Sequence, residues 1–275
     1  MPPTEWPKRY QRKDDRRRSR RQEILGRRLS WSESIFLIAS TQTMPTTTKQ
    51  KIVNTLLSSL GKTAKPKIGE RPVLEQFIYA ILRENATREA ADQAFDNLRD
   101  RFYDWNEVRV SSSLEIMEAF ENALSHADAR AQRIIDFLQE IFETTYSFDL
   151  EPLLEVLQKK GMKQAAKQLA RYQAANDYTV AWVMQQSLGG HTIPLDSSGL
   201  RVLKRMGLLE EDQADLETLR TSLEDQVPKA KGSLFVDVVS ALADTHCHVE
   251  KPTCRECPLN TVCPTGLDLK AKKPR

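Results

Sequence analysis

Apolar residues recur three and four positions apart over most of the chain, the spacing that places them on one face of a helix. Only ten glycines occur, and Ala, Leu, Glu, Gln, Lys and Arg are abundant, which favours the same structure. The pattern therefore predicts an all-α protein. The predicted helices cover residues 51–60, 73–82, 90–102, 129–144, 153–161, 162–172 and 178–188, and a further helix ends at Gly207.

Polar residues mark where some of these helices begin. Thr87 is placed to cap the helix that follows it, and the serine run before Glu115 is typical of a capped start. The helix that begins there is expected to turn Leu114, Met117 and Phe120 towards the core.

Length and composition limit the possible classes of protein. The chain has 275 residues, 40% of them hydrophobic, which is enough for one large domain or two modest ones. No apolar run approaches the roughly 20 residues that cross a bilayer. The basic amino terminus lacks the apolar segment and cleavage site of a secretory signal. We therefore expect a monomer that does not bind membranes, located in the cytoplasm and associated with the nucleoid if the protein is bacterial.

Charge is distributed unevenly along the chain. Residues 1–30 hold eleven Lys and Arg against four Asp and Glu, a net charge of +7, and the last ten residues carry +3, so the part between carries −7. A basic arm binds phosphate by releasing counterions, largely without regard to sequence. A solubilising tail is the alternative. The candidate DNA contacts in the arm are Arg16, Arg17, Arg18, Arg20 and Arg21.

All four cysteines lie near the carboxyl terminus, at Cys247, Cys254, Cys257 and Cys263, with the spacing C-x6-C-x2-C-x5-C. Disulfides are one interpretation, but cytosolic thiols are kept reduced. Structural zinc prefers two separated C-x2-C pairs, and only Cys254 and Cys257 form such a pair. An iron–sulfur cube needs ligands spread over a wider loop, which the longer gaps supply. The spacing favours a cluster over zinc.

The cysteine loop also resembles a known one. With Lys251-Pro252 before the second cysteine and Pro258 after the third, it is similar to the [4Fe-4S] loop of the endonuclease III family of DNA glycosylases. The resemblance extends over roughly residues 70–264. It implies a [4Fe-4S] cofactor on the four cysteines, double-stranded DNA as the partner, and two helical lobes with a groove between them. It further implies a helix–hairpin–helix followed by an aspartate.

Asp196 stands where that aspartate is expected. Gly189-Gly190 end a helix, an extended piece covers 192–195, and Asp196 then precedes two serines and another helix. Spacing alone favours a plain helix N-cap at Asp196. The resemblance adds a catalytic role, in which the carboxylate stabilises an oxocarbenium-like sugar and orients the attacking water while the target base is flipped from the stack.

Several positions depart from the family pattern. The family hairpin has glycines on either side of an apolar residue, so that backbone amides approach a DNA phosphate; here these positions are Ala174, Ala175 and Asn176. We expect a non-glycine residue at these positions to cost about 1–2 kcal/mol in the left-handed backbone conformation, and asparagine to cost the least. Tyr178 replaces the lysine of bifunctional members, and a phenol cannot form a Schiff base. Tyr178 is also a candidate for lining a base pocket. Asn85 resembles the polar residue that the family inserts into the duplex.

These features predict a DNA-binding base-excision-repair protein, a monofunctional DNA N-glycosylase with doubtful AP-lyase activity. One alternative is a non-catalytic iron–sulfur DNA-binding protein on the same scaffold, and another is a zinc-stapled interaction protein. The predicted parts are a basic arm (1–30), helices joining the cluster lobe (31–70), a central helical domain with a degenerate hairpin (71–190), a cluster lobe (191–264, with its loop at 247–263) and a basic tail (265–275).

Overall fold

The computed structural model describes residues 46–61, 71–150, 152–209 and 215–271, and all regular structure within these ranges is helical, so the predicted all-α fold is confirmed. A single 3-10 turn, Lys229–Lys231, is the other described element. The α-helices are α1 (Thr46–Leu60), α2 (Val73–Arg83), α3 (Arg88–Arg101), α4 (Trp105–Val110), α5 (Ser113–Ala119), α6 (Ala127–Thr145), α7 (Pro152–Lys160), α8 (Met162–Leu169), α9 (Asp177–Gln186), α10 (Ser197–Arg205), α11 (Leu216–Glu224), α12 (Gly232–Thr245) and α13 (Pro264–Ala271).

Helix α2 is central to the packing. Its sequence, VLEQFIYAILR, is apolar almost throughout, and all eleven residues are buried. It packs against α3, α6 and α9. Phe77 stacks on Phe137 of α6 with ring centroids 3.8 Å apart. Because α2 is buried on every side, the loop that follows it starts from a fixed point.

Side-chain caps set several helix starts, as the sequence indicates. Thr87 accepts a hydrogen bond from the Ala90 amide, and Ser112 forms a capping box with Glu115. The predicted inward face of α5 is partly wrong. Leu114 lies in the first turn and is 62% exposed, whereas Ile116 and Phe120 are fully buried.

The hydrophobic pattern did not identify α4, α11, α12 and α13. Helix α12 is apolar, with eight of its fourteen residues buried, and it packs against α1, α3, α9 and α10. It lacks a side-chain cap at its start, so no polar residue marks its beginning. The apolar segment at 31–40 and most of the linker at 62–71 lie outside the described residues.

The described helices all belong to one unit, residues 43–275. None of the helices in the described ranges is both long enough and apolar enough to cross a bilayer. The division into a central and a cluster lobe remains a proposal.

Candidate functional site

Asp196 is the N-cap of α10, and both of its carboxylate oxygens are engaged. Oδ1 accepts a hydrogen bond from the Gly199 amide at 2.6 Å. Oδ2 accepts one from the Asn85 amide at 2.8 Å, across 111 residues of sequence. A carboxylate has about four acceptor positions, so it can still accept hydrogen bonds from other groups. The cap predicted from spacing is therefore present, and it also ties α10 to the loop after α2.

Asn85 lies in that loop with a φ of +54°, in the left-handed region that asparagine tolerates better than most residues. Its side-chain oxygen accepts hydrogen bonds from Ser197 Oγ at 2.7 Å and from the Ser198 amide at 3.2 Å. With the bond from the Asn85 amide to Asp196, these make three hydrogen bonds between the loop and the start of α10, here called the Asn85 latch. The side chain predicted to enter DNA is thus held by the protein itself.

Glu84 connects the same loop to the hairpin. Its carboxylate accepts two hydrogen bonds from Asn176 Nδ2, at 2.8 and 2.9 Å, and pairs with Arg133 at 2.7 Å. Arg133 also donates to the Ala174 carbonyl. A second arginine of α6, Arg130, donates to carbonyls at the end of α2, which places a cation at the negative end of that helix. These contacts fix the loop and the hairpin relative to each other.

The hairpin lacks the family's glycines, yet it forms without a left-handed backbone at the positions where the family has them. Asn176 has a φ of −132° and caps α9 in a box with Thr179. The described non-glycine residues with positive φ are Asn85, Glu121, Asn122, His126 and Tyr146. Ala174 and Ala175 are not among them, so neither has a left-handed backbone. The expected cost of 1–2 kcal/mol at these positions is wrong, since no strained conformation is needed.

Tyr178 is 3% exposed and stacks near Trp182, with ring centroids 6.1 Å apart. Burial raises the pKa of its phenol well above the usual range, an effect that the nearby Arg83 charge partly opposes. Tyr178, Arg83 and Asp196 line one cavity of about 20 Å³. A cavity of this size admits about one water molecule and no base.

Arg83 is a functional candidate that the sequence did not reveal. It ends α2, is 1% exposed, and donates to Ser240 Oγ at 2.8 Å and to the Ala86 carbonyl. It also pairs with Asp237 of α12 at 3.4 Å. Asp237 lies 154 residues away in sequence, so no local pattern indicates the pair. The guanidinium is thus a fixed positive charge between α2 and α12, beside Tyr178 and Asp196.

We expect Tyr178→Phe to raise the free energy of unfolding by about 1 kcal/mol, because the Tyr178 hydroxyl is buried with no hydrogen-bond partner among the described residues. Tyr79→Phe is the matched control, since the Tyr79 hydroxyl donates to Asp92 at 2.7 Å and its loss is expected to destabilise by a similar amount. Chemical denaturation measures both. Equal destabilisation by the two substitutions would show that the Tyr178 hydroxyl is bonded.

The four cysteines converge on one cavity near the carboxyl ends of α10 and α12. Cys247, Cys254, Cys257 and Cys263 line it together with Arg205, Met206, Leu242 and Leu259, among others. Burial is the main cause that raises the pKa of the Cys254, Cys257 and Cys263 thiols, and neighbouring thiolates raise it further. Within the described ranges, no three His, Cys, Asp or Glu side chains are arranged to hold a single metal ion.

A larger groove, of about 440 Å³, also borders the Asn85 loop. It is lined by residues of that loop, of the start of α3, of α10 and α12, and of the cysteine loop. Its polar side chains include Ser198, Arg201, Asp244 and His248. The predicted contacts at Arg16, Arg17, Arg18, Arg20 and Arg21 lie outside the described residues.

No protein-family model matches the chain. Over 143 residues, 51% of its length, it is 23% identical to an endonuclease III homolog of Encephalitozoon cuniculi (strain GB-M1), and it spans 59% of that relative. Its fold is similar to that of endonuclease III in a non-covalent DNA complex, with a TM-score of 0.63 and 17% identity, covering 83% of this chain and 100% of the other. It is also similar to a thermostable thymine-DNA glycosylase, with a TM-score of 0.58 and 18% identity, covering 81% and 99%.

The structural similarity shows the fold: the chain has the all-α fold of the endonuclease III type of DNA glycosylase. Its sequence likeness to an endonuclease III homolog points to the same superfamily as the cysteine loop, so the predicted resemblance is confirmed.

Proposed function

We propose that this chain is a base-excision-repair DNA glycosylase that hydrolyses the N-glycosyl bond with Asp196 and a water molecule. The observation that supports this proposal best is the Asp196 carboxylate at the start of α10, fixed by two backbone amides and facing the Asn85 loop. A fixed carboxylate stabilises developing positive charge without having to reorganise during the reaction.

In the proposed reaction the C1′–N bond of a flipped nucleotide breaks and the base leaves with the bonding electrons. Asp196 stabilises the oxocarbenium-like sugar and accepts the proton of the attacking water, whose oxygen bonds to C1′. The proton that Asp196 accepted then passes through solvent to the departing base, which restores the Asp196 carboxylate. Atoms and charge therefore balance with water as the second reactant.

Tyr178 supports a monofunctional mechanism. It stands at the first turn of α9, where bifunctional relatives of this type carry the lysine that forms a Schiff base, and it is fully buried. Burial keeps the phenol protonated at neutral pH, and a phenol cannot form an imine. No covalent sugar adduct is therefore expected from this position.

We also propose that the four cysteines hold a [4Fe-4S] cluster. Four cysteine sulfurs line one cavity and are the ligand set that such a cluster takes, and only Cys254 and Cys257 form the C-x2-C pair that structural zinc uses twice. When bound, the cluster would tie the segment after α12 to the start of α13 through the four cysteine sulfurs. Arg205 would support it, since it donates to the carbonyls of His248 and Val249 in the first long gap of the loop.

A second candidate function is non-catalytic DNA binding on the same scaffold. The small cavity beside Asp196 favours it, because Arg83 and Tyr178 fill the space that a flipped base would need. For catalysis, Arg83 or the Asn85 latch must move when DNA binds.

A panel of damaged and mismatched duplexes separates the two functions. Base release and duplex binding are measured on each member by chromatography and by anisotropy. The glycosylase proposal requires release from at least one lesion. Tight binding with no release from any lesion would instead establish the non-catalytic function.

The basic arm is expected to add electrostatic affinity for DNA. Removing residues 1–30 takes away eleven Lys and Arg, so binding is expected to weaken. The slope of log K against log salt is expected to fall by about 0.9 for each DNA phosphate that the shortened protein no longer neutralises. Titrations at several salt concentrations measure this slope. A slope unchanged by the deletion would show that the arm does not bind DNA.

A further inference from the structure

Two buried hydrogen-bond donors near Asp196 have no partner within the described part of the chain. They are the Nε–H of Arg83, a residue that is 1% exposed, and the hydroxyl of Tyr178, which is 3% exposed. Both side chains line the small cavity that Asp196 also borders. Buried polar groups are hydrogen-bonded in almost all native proteins, so two unpaired donors on one cavity indicate that a ligand supplies the acceptor.

The rest of the Arg83 guanidinium is held by the protein. Nη1 donates to Ser240 Oγ at 2.8 Å and to the Ala86 carbonyl, and Nη2 donates to Asp237 at 3.4 Å. Because these bonds join Arg83 to α12 and to the Asn85 loop, the guanidinium cannot turn without breaking them. The Nε–H is therefore a fixed donor that remains available to a ligand.

The cavity strengthens hydrogen bonds from these two donors. Burial raises the pKa of the Tyr178 phenol well above its usual range, so the hydroxyl keeps its proton and acts as a donor. Apolar side chains of α10, of α12 and of the segment before Asp196 form most of the remaining wall. A hydrogen bond to developing charge is stronger in such surroundings than in water. The volume of about 20 Å³ holds one water-sized group, such as a single carbonyl oxygen, and not a ring.

We propose that the Arg83 Nε–H and the Tyr178 hydroxyl form a donor pair that binds the 2-oxo group of a flipped pyrimidine and stabilises that base as it leaves. The 2-oxo carbon is bonded to N1, so its oxygen takes up negative charge when the electrons of the C1′–N1 bond pass to the ring. A carbonyl oxygen has two lone pairs and accepts both donors, whereas the ring nitrogen in the equivalent position of a purine has one. This inference rests on the proposed glycosylase function and names its substrate class.

No proton leaves Arg83 or Tyr178 in this step. The C1′–N1 bond breaks, its electron pair stays with the base, and the water oxygen bonds to C1′ as in the proposed reaction. The ring needs more space than the cavity offers, and opening of the Asn85 latch supplies it. Arg83 stays in place because Asp237 and Ser240 hold it.

Single-turnover release from duplexes that contain pyrimidine or purine lesions tests the donor pair in the full-length protein. Tyr178→Phe is expected to slow release of a pyrimidine about 10²-fold, as the loss of one oxyanion-hole donor does, while duplex binding stays unchanged. The same variant is expected to be more stable than the wild type, so unfolding cannot explain the slower release. Tyr79→Phe is the matched control, since its hydroxyl is bonded to Asp92 and Tyr79 does not line the cavity.

Arg83→Lys tests the second donor. It keeps the positive charge and removes the Nε–H, and it is expected to slow release of a pyrimidine by about 10²-fold. Arg88→Lys is the control for the ion pair, because Arg88 also binds Asp237, at 2.9 Å, but does not line the cavity. It is expected to leave release nearly unchanged.

The outcomes separate this inference from the function on which it rests. Release of purines alone, or release of a pyrimidine by Tyr178→Phe at the wild-type rate, would overturn the donor pair and leave the glycosylase proposal standing. Equal slowing by Tyr178→Phe and Tyr79→Phe would also overturn the donor pair. Release of no base from any duplex would overturn the glycosylase proposal, and the donor pair with it.

Discussion

Replacing Asp196 by asparagine is expected to lower the rate of base release by about 10³-fold or more while duplex binding stays within a few-fold of the wild type. The amide carries no negative charge, so it neither stabilises the cationic sugar nor accepts the proton from water. Single-turnover excision and equilibrium binding measure the two effects separately.

The same substitution also has a structural cost. Both oxygens of Asp196 accept backbone amides, and asparagine presents its NH₂ group to one of those donors. We expect a loss of about 1–2 kcal/mol in the free energy of unfolding.

Asp215→Asn is the matched control for this cost. Asp215 caps α11 through the Thr218 amide at 2.7 Å, so it has the same capping role away from the cavity. It is expected to leave excision unchanged. Equal loss of excision in the two variants would mean that Asp196 is only a cap.

Replacing Cys257 by serine is expected to remove bound iron and to lower the free energy of unfolding by about 3–5 kcal/mol, a fall of about 10 °C in Tm. The physical reason is the sparse core of the cysteine loop. Between α12 and α13, a stretch that the structure describes throughout, Leu259 is the one buried side chain, too little apolar surface to order a segment of that length. Iron and sulfide analysis of anaerobically prepared protein and thermal unfolding measure the two effects.

Thr261→Ser, an exposed change in the same loop, is the control and should preserve both iron and Tm. Wild-type protein that contains about four iron atoms per chain supports the cluster. Colourless protein containing one zinc ion would contradict it and restore the zinc alternative.

The fold was predictable from sequence where a helix carries its own signals. Helix α2 is mostly apolar, and α3, α5 and α9 begin at residues whose side chains cap them. The sequence predicts the wrong face for Leu114 because a seven-residue helix has too few positions to define its inner side. Helix α12 has a clear apolar sequence but no polar cap to mark where it begins.

The site was less predictable because its contacts join distant parts of the chain. Asp196 was found from its position before a helix, yet its bond to the Asn85 amide spans 111 residues. Arg83 is the last residue of an apolar helix, and its partner Asp237 belongs to a helix that the pattern did not identify. Glu140 is one of several acidic residues on α6, and only the structure places its carboxylate on the hairpin amide.

The most direct test of the account is borohydride treatment during excision of a lesion that the protein releases. Water activated by Asp196 predicts base release with no protein–DNA cross-link, and strand breaks that appear only after hot alkali. A borohydride-trapped covalent adduct would contradict the account, because it would show that an amine, and not water, attacks the sugar.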